Sequence, residues 1–316
     1  MLEVSIVICT RNRADRLKDM LDSLAKVITT HVWEIVIVDN ASTDNTAAII
    51  RSAEKQFQNL RYFLESQVGL GAARNRGWQE ARGGLISLTD DDCYVSPDYV
   101  DAVVTVFAEN PDVGCVGGRI LLYDPEDAPI TIDTRDKPVE FLPHRFLQAG
   151  ELHGANLSFR RSTLESIGGI DKSLGAGTEF PCEDIDAIAA TLWSGVPVRF
   201  DPRPTVYHHH GRRAADIPAL MAGYDRGRGA YYAKYIFRPD TRWIYIGAWL
   251  VFAFKSGDSH RAERELQSAR RYAQQQGHNN SVLLLLIASV VPLAAFAGRV
   301  YGWTARKLFG AKVANA

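Results

Sequence analysis

Short β-branched runs alternate with amphipathic stretches through the first half of the chain. Residues 4–9 form such a run, and residues 15–27 follow with Leu17, Met20, Leu21 and Leu24 on one helical face. Residues 34–38, EIVIV, read as a strand buried on both sides. Residues 43–56 read as a helix with Ser42 or Thr43 as its cap. A strand is expected over 60–64, a helix over 70–81 and a strand over 85–88, and Pro97 is expected to open the next helix. Residues 113–123 look extended again. This alternation predicts an α/β fold with a mostly parallel sheet covered on both faces by helices.

The second half is less regular. Pro125, Pro129, Pro138 and Pro143 break up residues 124–146, which read as a crossover or loop. The core resumes at 157–159, with a short helix from Ser162, a helix over 183–194 and an extended segment over 198–207. The tail changes character. Residues 243–254 are apolar and aromatic, 256–276 form a polar, basic-rich helix, and 281–298 form an apolar run interrupted by Pro292. The last run just reaches bilayer-spanning length, whereas 243–254 is too short to span alone. Arg299, Arg306, Lys307 and Lys312 follow it and favour a cytoplasmic C-terminal side. Two buried helices packed on each other would also explain the pattern.

Composition narrows the classes. At 316 residues the chain can bury one large core or two smaller ones, and its net charge of −1 gives no reason to expect a nucleic-acid partner. Cys9, Cys93, Cys115 and Cys182 are scattered without metal-ligand spacing, which fits a reducing compartment. Met1, Leu2 and Glu3 lead straight into a strand pattern with no basic region, so no secretory signal is expected.

The chemistry concentrates at strand ends. Asp90, Asp91 and Asp92 follow the apolar run 85–88. Three crowded carboxylates repel one another and ask for a cation, and an open α/β sheet binds its ligands at such strand ends. Hard oxygen ligands suit Mg2+ or Mn2+, which carry phosphates with them. On an extended backbone Asp90 and Asp92 would point to one side. A solvated acidic turn is the plainer reading. The first two strands also end in polar residues, Thr10-Arg11-Asn12-Arg13 and Asp39-Asn40-Ala41-Ser42. Residues 69–75, GLGAARN, open a helix and could cradle phosphate, with Arg74 supplying positive charge. Glu183 and Asp184 stand at a helix start, where the dipole alone would favour them, or where one could act as a general base. His208, His209 and His210 end an extended segment and could complete a metal site.

Six segments carry a resemblance: TRNRADRL (10–17), VDNASTDNT (38–46), GLGAARNRG (69–77), LTDDDCYVSPDYV (88–100), GANLSFRRSTLESIGGID (154–171) and CEDIDAIAATLWSG (182–195). In this order they make the chain similar to the family 2 glycosyltransferases of GT-A fold. The resemblance covers about residues 1–210. It implies a GT-A domain over 1–215, with a nucleotide-binding half (1–123) and an acceptor-side half (124–215), followed by a helical, membrane-associated region over 216–316. The implied activity is an inverting, metal-dependent transfer of a sugar from a nucleotide-sugar donor, commonly UDP-linked, to a glycan or lipid-linked acceptor. The implied site has Thr10 and Arg11 lining the base pocket, Asp39 holding the base, and Arg74 at the nucleotide or its diphosphate. Asp90 to Asp92 match the DxD region, with Asp92 as the Mn2+ or Mg2+ ligand, Asp90 supporting it and Asp91 on the donor side. Asp184 matches the catalytic base, with Glu183 on the acceptor side. His208 stands where relatives place a metal-binding histidine, with His209 and His210 as competitors. Use of a nucleotide donor would place the enzyme at the cytoplasmic face of the cell membrane, with 243–298 as a hairpin-like pair or in-plane helices. A non-catalytic sugar-nucleotide-binding scaffold, or a nicotinamide-dependent oxidoreductase using the glycine string, are the other classes the same features allow.

Overall fold

The computed structural model describes residues 2–278 and 282–309. In chain order the elements are β1 (Val4–Thr10), α1 (Leu17–Leu24), β2 (Trp33–Asp39), α2 (Thr46–Ala53), β3 (Leu60–Leu64), α3 (Leu70–Glu80), β4 (Leu85–Asp90), β5 (Cys93–Val95), α4 (Tyr99–Glu109), β6 (Cys115–Leu122), β7 (Val139–Phe141), β8 (Asn156–Arg160), α5 (Arg161–Ser166), α6 (Glu183–Trp193) and β9 (Val198–His208). Four further helices follow: α7 (Ile217–Ile236), α8 (Arg242–Ser256), α9 (Ser259–Gln275) and α10 (Val282–Phe309). By its internal contacts the chain divides into one unit of residues 1–178 and 183–217 and another of 179–182 and 218–316.

The first unit is built on one sheet, ordered β3-β2-β1-β4-β8-β6-β9-β5, with β7 also paired to β9. Strands β1 to β4 pair in parallel, as expected for β-branched runs joined by helices. The expectation of a mostly parallel sheet holds for that half, and β6 and β9 also pair in parallel in the other. The sheet as a whole is mixed, because β8 inserts antiparallel between β4 and β6. β5 and β7 also run antiparallel to β9. Ile6, Ile8, Ile35, Ile37, Tyr99 and Val106 form the centre of its core. Each such side chain, fully buried, contributes roughly 1.5–3 kcal/mol relative to exposure. α3 lies close on β1 and β2 because Gly77 faces Val7 and Val38, where a Cβ would collide.

Glu34 is the exception in the otherwise apolar β2. Its carboxylate accepts from Ser5 Oγ at 2.7 Å, from the Arg82 amide at 2.6 Å and from Arg61 at 3.0 Å, so the buried charge is paired.

Two helix starts differ from expectation. α2 begins at Thr46, after Asn45, because Ser42 and Thr43 are used elsewhere. The Asn12 amide donates to Ser42 Oγ at 2.9 Å, and the Thr43 amide donates to Asn12 Oδ1 at 2.8 Å. The Arg13 amide donates to Thr46 Oγ1 at 3.0 Å and the Ala14 amide to Asp44 Oδ2 at 3.2 Å. These four bonds lace the loop after β1 to the loop after β2. α4 begins at Tyr99 rather than Pro97, because Ser96 to Asp98 form a turn in which Ser96 Oγ donates to Asp98.

The second unit is helical. α7 was not apparent from periodicity, since Gly223, Gly227 and Gly229 interrupt it. Two of these glycines serve close packing: a Cβ on Gly229 would strike the Glu265 carbonyl, and one on Gly227 the Pro181 carbonyl. Tyr235 stacks on Tyr245 and Tyr232 on Trp249, while Trp249 Nε1 donates to the buried Glu265 at 2.8 Å. Among the described residues no helix is long and apolar enough to cross a membrane. Ser281 and Lys312, the first residue of the apolar run and the last of its basic flank, lie outside the described residues.

Candidate active site

The carboxyl ends of β1, β2 and β4 bring the predicted residues to one edge of the sheet. Thr10 and Asp39 end β1 and β2 as direct neighbours in the parallel register, and both are buried. Asp39 Oδ1 accepts from the Ser42 amide at 2.9 Å and Oδ2 from Tyr62 OH at 3.2 Å. Arg11 is exposed in the loop beyond.

The three aspartates separate. β4 ends at Asp90 and the chain turns through Asp91 and Asp92, so Asp90 and Asp92 do not share a side as an extended backbone would require. Asp90 turns to Arg74, whose Nη2 donates to it at 2.9 Å. Asp91 faces Arg13 at 3.6 Å, and Asp92 faces the same guanidinium at 3.9 Å. Burial pushes Asp91 up to about 7, with the Thr10 hydroxyl and Arg13 opposing and Asp92 adding to the rise.

Arg74 is buried, and its guanidinium is already committed. It pairs with Asp90, with Glu183 at 3.0 Å, and donates to the Gly154 carbonyl at 3.0 Å. Arg74 thereby acts as a strut from the end of β4 to the start of α6. Burial pushes Glu183 up to about 7; Arg74 opposes this and the neighbouring Asp184 adds to it. Glu183 is buried against Arg74. Asp184 is half-buried at the first turn of α6, where Oδ2 accepts from the Gly154 amide at 2.8 Å and Oδ1 from the Ile185 amide at 2.8 Å. Gly154 has no room for a side chain: a Cβ there would lie 2.8 Å from Asp184 Cβ and 3.0 Å from Arg74 Nη1.

The glycine string is not a phosphate cradle. The Gly69 amide donates to Asn40 Oδ1 and the Leu70 amide to the Ala176 carbonyl, both at 2.8 Å. Gly71 is packed against the Asp171 and Leu174 carbonyls. The start of α3 is thus covered by residues 171–176, which removes the basis for a dinucleotide fingerprint.

The histidines sort themselves. His208 is buried opposite Cys93 in the β5–β9 pairing, with Nε2 3.3 Å from Asp92 Oδ1. Burial lowers His208, but the bond to Asp92 and its charge outweigh this and raise it. Burial likewise raises Asp92, and His208 brings it below the ordinary carboxylate range. His210 Nε2 donates to the Ala128 carbonyl at 3.0 Å while Nδ1 accepts from the Arg212 amide at 3.0 Å, so it is a structural neutral imidazole. His209 accepts or donates at Tyr94 OH and belongs to a separate group with Asp124 and Asp127, which Arg213 neutralises.

Asp92, Cys93 and His208 offer ligand atoms all within 4.8 Å of one another, so they could hold a divalent ion. Asp90 is outside this group. Cys93 and Arg13 were missed by sequence reasoning. Cys93 meets His208 only through strand pairing, and Arg13 was visible solely as part of the TRNR string.

The glycosyl transferase family 2 description matches residues 5–168, just over half of the chain. This chain belongs to that family. Over 300 residues it is 22% identical to glycosyltransferase AglE of Haloferax volcanii, covering 94% of this chain and 95% of that protein. It is 22% identical over 191 residues to the glucosyl-dolichyl phosphate glucuronosyltransferase of the same organism, covering 55% of this chain and 58% of that one. It is 32% identical over 127 residues to validoxylamine A glucosyltransferase of Streptomyces hygroscopicus subsp. jinggangensis, covering 39% and 30%. Among solved structures, the mannosyltransferase PcManGT of Pyrobaculum calidifontis in complex with GDP-Man and Mn2+ superposes with TM-score 0.59 at 19% identity, over 97% of this chain and 87% of that one. S. aureus TarS 1-349 superposes with TM-score 0.62 at 14% identity, over 96% and 92%. The mixed, helix-flanked sheet is therefore GT-A-like.

Two stability measurements check this geometry. Arg74→Met leaves the buried Glu183 and the half-buried Asp90 without their cation, so a loss of about 3–5 kcal/mol is expected in urea unfolding. Asp91 binds its proton more tightly folded (about 7) than unfolded (about 3.9), so it costs stability as pH rises between those values. The melting temperature of metal-free Asp91→Asn should accordingly gain on that of the wild type between pH 5 and pH 8; a constant difference would refute the shift.

Proposed function

We propose that the chain is an inverting, metal-dependent glycosyltransferase that moves a sugar from a nucleotide-sugar donor, UDP-linked, to a glycan or lipid-linked acceptor. The setting is cell-surface polysaccharide or glycoconjugate synthesis at the cytoplasmic face of the cell membrane. One observation carries this reading: the Arg74 strut joins the end of β4, which leads into the Asp92–His208 pair, to the start of α6, which carries Asp184.

In this reading Thr10, Arg11 and Asp39 form the nucleoside end of the site. Asp92 and His208, with Cys93 beside them, would hold the Mn2+ or Mg2+ ion of this reading. Such an ion, when bound, supplies the positive charge that stabilises a nucleoside diphosphate as it leaves. Asp184 receives the acceptor hydroxyl proton as that oxygen attacks the anomeric carbon from the face opposite the diphosphate. A single displacement of this kind inverts the configuration. Two backbone amides at the N-terminus of α6 and at Gly154 hold Asp184 oriented for the task. Arg74, Glu183 and Asp90 position it without touching the reacting atoms.

The names of relatives support the substrate classes. The glucuronosyltransferase of Haloferax volcanii is named for a dolichyl phosphate substrate. TarS structures include complexes with UDP and UDP-GlcNAc. A scaffold that only binds sugar nucleotides would have no use for Asp184 held in this way.

The test is transfer from UDP-sugars to glycan and lipid-linked acceptors by the purified chain with Mn2+. Chelation of the metal should abolish product, and Asp184→Asn should lower turnover by at least about 100-fold. Donor binding by calorimetry should persist in that variant. Turnover unchanged in Asp184→Asn would remove the residue from its role, and turnover indifferent to chelator would remove the metal.

A further inference from the structure

The second unit leaves an apolar face uncovered. α8 buries Tyr245, Trp249 and Ala253, and α10 buries Ile287, Val291 and Ala295. On their other sides Trp243, Val251 and Phe254 of α8, and Leu293, Phe296 and Tyr301 of α10, are exposed, Trp243 at 74% and Leu293 at 65%. The two stripes meet at one end. Gly298 sits against the Phe254 carbonyl, where no Cβ would fit, and the Phe254 and Tyr301 rings lie 5.9 Å apart. Arg299 fastens α10 at this end by donating to the Gly257 carbonyl at 3.2 Å and to Ser259 Oγ at 2.7 Å.

The charge pattern selects the occupant. Neither helix contains an aspartate or glutamate, and among the residues whose side chains are described their charges are Arg242, Lys255 and Arg299. A second copy pressed face to face would set basic rim against basic rim, which costs free energy. An anionic bilayer surface attracts the same rim by about 1 kcal/mol per basic residue close to the membrane. Tryptophan and tyrosine with basic residues around an aliphatic stripe are also what the headgroup boundary accommodates.

We infer that α8 and α10 lie side by side in the plane of an anionic membrane, with Trp243, Phe254, Leu293 and Phe296 inserted among the lipids. The geometry favours lying over crossing. One side of α10 is already packed on α8, and Pro292 denies the Ala288 carbonyl its helical donor. Water at the headgroup level satisfies such a carbonyl, whereas the hydrocarbon interior does not. This inference stands apart from the transfer chemistry, since it uses none of the site residues.

The experiment is flotation of the full chain with vesicles of phosphatidylcholine alone and with phosphatidylglycerol added, at low and high salt. Binding about tenfold stronger to the anionic vesicles, weakened by salt, is expected. Phe254→Glu combined with Leu293→Glu should reduce it at least about tenfold with an unchanged circular dichroism spectrum and melting curve. Should that variant misfold, Trp243→Ser with Val251→Ser, both at exposed positions, replaces it with the same expected direction. Absence of flotation with either vesicle would overturn the inference, as would equal flotation of a folded variant. A dimer in light scattering that the variant dissolves, without vesicle binding, would assign the face to a second copy instead.

Discussion

One buried cation organises the candidate site of this molecule. Arg74 sits on α3 and reaches two carboxylates that the chain places far apart in sequence, Asp90 at the end of β4 and Glu183 at the start of α6. A guanidinium so enclosed is tolerable only because its planar fork meets both carboxylates and the Gly154 carbonyl at once. The burial that makes each charge costly alone makes their mutual geometry hard to relax. Asp184 follows Glu183 directly, so its position is inherited from the strut.

The rest of the site is arranged around what that strut leaves open. Asp92 and His208 meet through an antiparallel pairing of β5 with β9, on the other side of the turn from Asp90. The aspartate triplet is therefore not one cluster but a branching point. Its first member belongs to the Arg74 network, its second is buried near Thr10 and Arg13, and its third belongs to the histidine. Crowding of three negative charges is eased by Arg74 at the first, by Arg13 shared between the second and third, and by His208 at the third.

Much of the fold was legible because its first half obeys simple periodicities. The strand at 60–64 and the helix from Leu70 coincide with expectation. Legibility ended where polar side chains bond across sequence distance. Ser42 and Thr43 look like helix caps, and Asn12 takes them instead. The glycines of 69–71 look like a phosphate loop, and a segment a hundred residues later packs on them. Asp184, Asp92 and His208 could be singled out by residue type and motif order, but the enclosure of Arg74 could not, since a charged side chain carries no local sign of burial. α7 was hidden for a related reason: its glycines lower helix propensity and are used for close approach.

The lacing of the loops after β1 and β2 has a consequence for how such a site changes over time. Asn12 bonds to both Ser42 and Thr43, and its backbone occupies the left-handed region that asparagine tolerates well. Thr10 and Arg11 stand just before it, and Asp39 just before the loop it holds. The two loops are thus a single mechanical part made from two distant stretches of gene. A mutation that reshapes one loop would be transmitted to the other, so a new shape at this edge of the sheet would be reached by paired substitutions rather than by single steps.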